Sequence, residues 1–181
     1  MKCYAGIGSR DTPLHVQEYF GSLATFLSIK GFTLRSGGAQ GADKAFEIGC
    51  DKVRGQKEIY LPWKYFEKSN SNLIVSDPNA YDIAKSFHHY WDNLSDGAKK
   101  LQARNSHQVL GLDLETPSQF VVCWTKSGEG SGGTGQAIRI ANHYGVPVFD
   151  AGKYETVDEI KANLKAFLIE SDVFSEEELS K

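Results

Sequence analysis

The chain has little cysteine: three residues in 181, at Cys3, Cys50 and Cys123, with no C-x-x-C pair. That excludes a disulfide framework and a cysteine-based zinc site, and it implies reduced, buried thiols in a cytoplasmic protein. The five histidines stand at no metal-ligand spacing with cysteine or acid, so neither a metal nor a cofactor is expected. No stretch approaches the roughly 18 apolar residues of a membrane span, which removes the membrane as a partner. The N-terminal Met1-Lys2-Cys3-Tyr4-Ala5-Gly6 reads as a strand, not a leader. Neither sign of charge dominates: 20 Lys and Arg face 23 Asp and Glu, a formal net charge of −3. Without a positive field or a run of cations interleaved with aromatics, nucleic acid is a disfavoured partner, although a local basic patch stays open.

What is present is the composition of a globular domain, with 40% hydrophobic and 24% charged residues. One domain over residues 1–181 is the simplest organisation. Apolar segments at Lys2–Ile7, Phe32–Arg35 and Glu58–Leu61 alternate with helical patterns. The first helix is expected to start at Asp11-Thr12-Pro13, with a capping side chain before a proline, and to stop at Gly31. The second runs from Ala42 to about Val53. Further on, a short strand is expected at Leu73–Val75, helices at Asn79–Trp91 and Ser95–Leu110, and a central strand at Phe120–Trp124. A helix from Gln136 to Tyr144, a strand at 145–150, a helix at Val157–Ile169 and an acidic tail at 175–181 complete the chain. This alternation predicts an α/β fold with a mainly parallel sheet and right-handed crossovers.

Three glycine-bearing turns follow expected strands: Gly8-Ser9-Arg10, then Arg35-Ser36-Gly37-Gly38-Ala39-Gln40-Gly41-Ala42-Asp43, then Gly128 to Gly135 after Thr125. A strand that ends in glycine and opens a helix offers backbone N–H groups to an anion. The spacings match neither G-x-G-x-x-G nor G-x-x-x-x-G-K-[ST]. In a parallel sheet, however, all strand C-termini share one edge, so the three turns converge on one crevice suited to a nucleotide or a sugar phosphate. Ser9 and Ser36 have no histidine at a readable spacing, which leaves no case for a serine nucleophile.

Gly8-Ser9-Arg10 followed by Ser36-Gly37-Gly38-Ala39-x-Gly41-x-Asp43 resembles the Rossmann-like domain of DprA, the DNA-processing protein. The segment from Ser131-Gly132-Gly133 to Val146-Pro147-Val148-Phe149 is similar to that family's later glycine loop, helix and strand, and also to the P-G-G-x-G-T-x-x-E signature of LOG phosphoribohydrolases. Both belong to the SLOG superfamily. The resemblance spans about residues 1–150, with 151–181 a C-terminal helix and acidic tail, and the compact form is similar to small DprA-like proteins of phages and bacteria. It implies a Rossmann-like three-layer α/β/α fold and a nucleotide-type ligand held by Gly8, Ser9, Arg10, Ser36, Gly37, Gly38, Gln40 and Asp43. Arg104, Asn105, Thr125, Gly132, Gly133, Thr134, Gly135 and Gln136 complete the implied site.

If the chain is an enzyme, the resemblance implies release of a base from a nucleoside monophosphate, with Arg104 on the phosphate. The LOG glutamate is replaced by Arg139, and a guanidinium opposes an oxocarbenium-like transition state. Asp43, Glu47, Asp113 or Glu129 would have to substitute; Asp43 and Glu47 share a helix face. Binding is therefore the leading expectation, hydrolysis the second, and a DprA-like single-stranded DNA module the third. The family also implies a homo-oligomer, for which Trp63, Tyr65, Phe66 and Trp91 could supply an apolar patch.

Overall fold

The computed structural model describes residues 1–180. Its centre is a six-stranded, all-parallel sheet in the order β4-β3-β2-β1-β5-β6. The strands are β1 (Cys3–Gly6), β2 (Thr33–Ser36), β3 (Lys57–Leu61), β4 (Leu73–Ile74), β5 (Val121–Cys123) and β6 (Val148–Asp150). The chain winds outward from β1 to β4, then returns to add β5 and β6 on the other side of β1. Winding thus reverses between β1 and β5, which opens a crevice at their C-terminal ends.

Side-chain alternation along β1 shows how the layers form. Tyr4 points to a core shared with α1 (Leu14–Ile29), α2 (Ala42–Asp51) and α6 (Val157–Glu170). Ala5 and Ile7 point to the opposite core, built with α4 (Asp96–Leu110) and α5 (Gly132–His143). Trp91 joins α3 (Pro78–Ser86) to α4 by packing among Ala80, Ala84 and Ala103. Helices therefore cover both faces, the expected three-layer arrangement. The acidic tail forms α7 (Glu176–Ser180); the last residue of the expected tail, Lys181, lies outside the described residues.

Some boundaries differ from expectation for local reasons. Pro13 is the N-cap of α1, and no side chain caps it, because the Thr12 hydroxyl donates instead to Ser9 O at 2.6 Å. The helix expected over 79–91 ends at Ser86, and Trp91 begins a separate 3₁₀ turn. The helix expected from Gln136 begins four residues earlier, so Gly132 and Gly133 form its first turn and not a loop before it. All three cysteines are buried and free. No helix of the described residues is long and apolar enough to cross a membrane.

One glycine joins the first two turns. Gly41 has φ +87°, and a Cβ there would stand 2.6 Å from Ser9 O and 2.7 Å from Arg10 Cα. Both obstacles are backbone, so relief requires the turns to part. The Gly41→Ala variant is expected to lose about 2–3 kcal/mol of stability, roughly 4–12 °C in thermal denaturation; an unchanged melting temperature would refute this account of the contact.

Candidate functional site

A cavity of about 670 Å³ lies in the crevice between the ends of β1 and β5. Gly8, Ser9, Arg10 and Asp11 form one wall, and Ala39 and Asp43 form a second. Thr125 and Lys126 with Ser131 to Thr134 form a third, while α4 closes the remaining side with Leu101, Gln102, Arg104, Asn105 and Gln108.

Asp43 sits in the first turn of α2 and holds two walls together. Its Oδ1 accepts the Gly8 N–H at 3.2 Å and its Oδ2 accepts the Ala39 N–H at 3.3 Å. The carboxyl is buried, and desolvation pushes its pKa up from 3.8 to about 6, against the opposing pull of Arg104 and the two N–H donors. At neutral pH it is chiefly ionised, and its charge is spent on the loops.

Arg104 is a buried guanidinium, 8% exposed, facing the cavity. One Nη donates to Gly37 O, and the group lies over the Phe66 ring, 5.6 Å from its centroid. A Cβ on Gly37 would meet the guanidinium at 2.4 Å, so the glycine lets the arginine lie flat on the second turn. Nε has no hydrogen-bond partner, and no ion pair within 4.0 Å forms at Arg104 among the described residues. Burial lowers its pKa, Asp43 raises it, and Arg10 lowers it further. Arg10 is largely exposed, pairs with Glu67 at 3.3 Å and lies 5.9 Å from the same Phe66 ring. Two cavity-lining guanidinium groups thus gather at one buried aromatic side chain, an arrangement that raises local positive potential.

The third wall is latched from behind. The Thr125 hydroxyl donates to Asp150, its N–H donates to the same carboxylate at 2.9 Å, and its Oγ1 accepts the Gly130 N–H at 2.9 Å. Asn105 Nδ2 donates to Gly133 O at 2.9 Å, which ties α4 to the start of α5. The first-turn N–H groups of α5 have no intrahelical acceptors and carry the positive end of the helix dipole. No acidic residue occupies that turn, and no side chain caps it.

Of the residues expected at the site, Gly8, Ser9, Arg10, Asp43, Arg104, Asn105, Thr125, Gly132, Gly133 and Thr134 line the cavity. The others are elsewhere. Ser36 donates to Gly6 O at 2.6 Å, inside the sheet edge. Gly37 lies beneath Arg104, Gly38 backs onto Ile59 and Leu61, and Gln40 is exposed outside the cavity. Gly135 is pressed against Gly130 O, and Gln136 donates to Ala84 O at 2.7 Å. Glu47 pairs with Lys57 at 2.9 Å and Lys44 at 3.4 Å and does not reach the cavity, because one helical turn carries it past the rim. Arg139 binds Phe87 O and Gln136 Oε1, both at 2.9 Å, so it too faces away. Asp113 is knotted into its own loop by Thr116, and Glu129 is exposed.

Sequence reasoning missed Ile7, Asp11, Ala39, Leu101, Gln102, Gln108, Lys126 and Ser131 on the cavity wall. The α4 residues carried a usable signal. Once Arg104 faces a ligand, helical spacing places Leu101 and Gln108 on the same stripe. The expected apolar patch is also smaller than foreseen: Phe66 is covered by the two arginines and Trp91 by α3 and α4, leaving Trp63 and Tyr65 exposed.

No protein-family model matches the sequence, and no curated protein does. Among solved structures, the fold is similar to that of DNA processing protein A from Helicobacter pylori, described for its single-stranded DNA binding mode. The TM-score is 0.51 at 20% identity, over 82% of this chain and 64% of that one, so this chain spans less than two thirds of that protein's length. At such identity the likeness bears on the fold, which is DprA-like. It also corrects the expectation that nucleic acid is a disfavoured partner. A protein of similar fold is described by its single-stranded DNA binding, so nucleic acid is not set aside as a partner.

The raised pKa of Asp43 gives the site a pH dependence. The folded value, about 6, exceeds the ordinary 3.8, so folding takes up a proton between these limits. The associated stability is present at low pH and is lost as pH rises through 6, by up to about 3 kcal/mol. Denaturant titrations from acid to neutral pH should show this loss for the wild type and a flatter profile for Asp43→Asn, whose side chain stays neutral throughout. Parallel profiles would contradict the assignment.

Proposed function

We propose that this chain is a DprA-like single-stranded DNA-binding protein whose cavity takes a backbone phosphate of the strand. The observation that carries the reading is Arg104: a buried guanidinium with an unpartnered Nε and no ion pair, set in a cavity wall. Asp43 acts on this guanidinium only from beyond ion-pair range, and a buried charge with an unpartnered donor is costly unless something completes it. A phosphate would do so, with further donors from Arg10, Lys126 and the uncapped start of α5. The fold shared with DNA processing protein A favours a strand over other phosphate carriers.

A second reading is a SLOG-type site for a free nucleotide. It is favoured by the size of the cavity, about 670 Å³, which falls among small-ligand pockets of roughly 300–1,000 Å³. A LOG-type hydrolysis gains little support. Of the four carboxylates expected to serve it, Asp43 is engaged by two loop N–H groups, Glu47 by two lysines and Asp113 by its own loop, and Glu129 does not line the cavity.

Fluorescence anisotropy with a labelled oligothymidine should show binding that weakens steeply between about 50 mM and about 200 mM salt. Arg104→Gln should weaken it about ten- to hundredfold, as loss of a charge-assisted contact does. Lys126→Gln, on the exposed rim, should lower the salt slope by about one. Absence of binding at the lower salt would sink the DNA reading. A thermal shift with nucleoside monophosphate in that case would establish the second.

A further inference from the structure

The turn that follows β3 is built unlike the other strand ends. Pro62 is followed by Trp63-Lys64-Tyr65-Phe66-Glu67-Lys68, in which aromatic and charged residues interleave. Three of these non-glycine residues have left-handed backbone: Tyr65 at φ 63°, Glu67 at 48° and Lys68 at 63°. Such conformations persist only where the surroundings hold them. Here two contacts do so. Glu67 pairs with Arg10, and the Phe66 ring is buried beneath the guanidinium groups of Arg10 and Arg104.

The consequence is a chain of contacts from a cavity-lining arginine to an exposed aromatic ring. Arg104 lies over Phe66, and Trp63 packs edge-on against Phe66, with ring centroids 5.3 Å apart and planes at 88°. Trp63 is 41% exposed and Tyr65 is 62% exposed. Lys64 lies over the Tyr65 ring at 4.9 Å, which places a cation beside the exposed aromatics. Neither residue is needed to fill the core, since the buried clusters of the described residues close without them. Exposed rings beside a cation, adjoining an anion-seeking cavity, match the physics of single-strand binding: phosphates are drawn by charge and bases stack on π-faces.

We propose that Trp63 and Tyr65 form a base-stacking platform for the nucleotide next to the phosphate held in the cavity, with Lys64 meeting the strand backbone. This rests on the DNA reading above and assigns the second half of the site: cavity for phosphate, platform for base. The platform is sequence-tolerant, because every base offers a π-face.

The test uses the full chain, an oligothymidine, and an abasic oligonucleotide of equal length that keeps the phosphates and lacks the bases. Trp63→Ala and Tyr65→Asn should each weaken oligothymidine binding about five- to hundredfold and leave abasic binding unchanged. Asparagine is chosen at 65 because it tolerates left-handed backbone. Tyr65 makes no ring contact with the core, so this variant keeps the fold even if Trp63→Ala disturbs Phe66. Tryptophan fluorescence of the wild type should be quenched by oligothymidine and not by the abasic strand. If the wild type binds neither strand, the DNA reading itself fails and the platform with it. If the wild type binds oligothymidine and Tyr65→Asn binds it equally well, or weakens both strands alike, the platform is overturned while the DNA reading stands.

Discussion

Asp43 accepts one N–H from each of two glycine turns, and the placement of the groups around the cavity follows from that shared carboxylate. It fixes the end of β1 to the start of α2, and Gly41 lets the two backbones touch. With the turns joined, Gly37 presents its carbonyl to Arg104, and Arg104 in turn covers Phe66. The carboxylate is thus structural first. Its charge also sits close enough to Arg104 to oppose the pKa shift that burial imposes on the guanidinium.

The treatment of buried charge elsewhere in the molecule sets Arg104 apart. Arg35, more deeply buried, pairs with Glu58 at 2.9 Å and donates to Thr116 O at 2.6 Å. Glu47 is held by two lysines. Asp150 is satisfied by Thr125 and by the Gly152 N–H. Each of these closes its own network, as buried polar groups in folded proteins do. Arg104 keeps one buried donor, Nε, without a partner, and the aromatic ring beneath it stabilises a cation without neutralising it.

Layer architecture was legible in the sequence because it depends on local signals. Alternating strand and helix patterns, with glycine at the turns, define a parallel sheet before any long-range contact is known. The convergence of Gly8, Asp43, Arg104 and Gly132 on one crevice followed from the same topology. What was not legible was direction. Glu47 and Asp43 stand one turn apart on α2, yet only Asp43 reaches the cavity. Gln136 and Arg139 lie on the glycine-led helix but face α3, because the helix begins at Gly132 and its phase is set there. The basic-aromatic turn after β3 was overlooked because net charge averages over the whole chain, whereas recognition depends on the few groups that share a rim.

Gly133 shows what packing leaves unexplained. A Cβ there would meet no atom within 4 Å, and its backbone lies in no region reserved for glycine. Alanine would strengthen the first turn of α5 by about 1 kcal/mol at no steric expense within the chain. The protein therefore carries a weaker helix start than its own fold demands. The glycine at this wall of the cavity is thus not a requirement of packing within the chain.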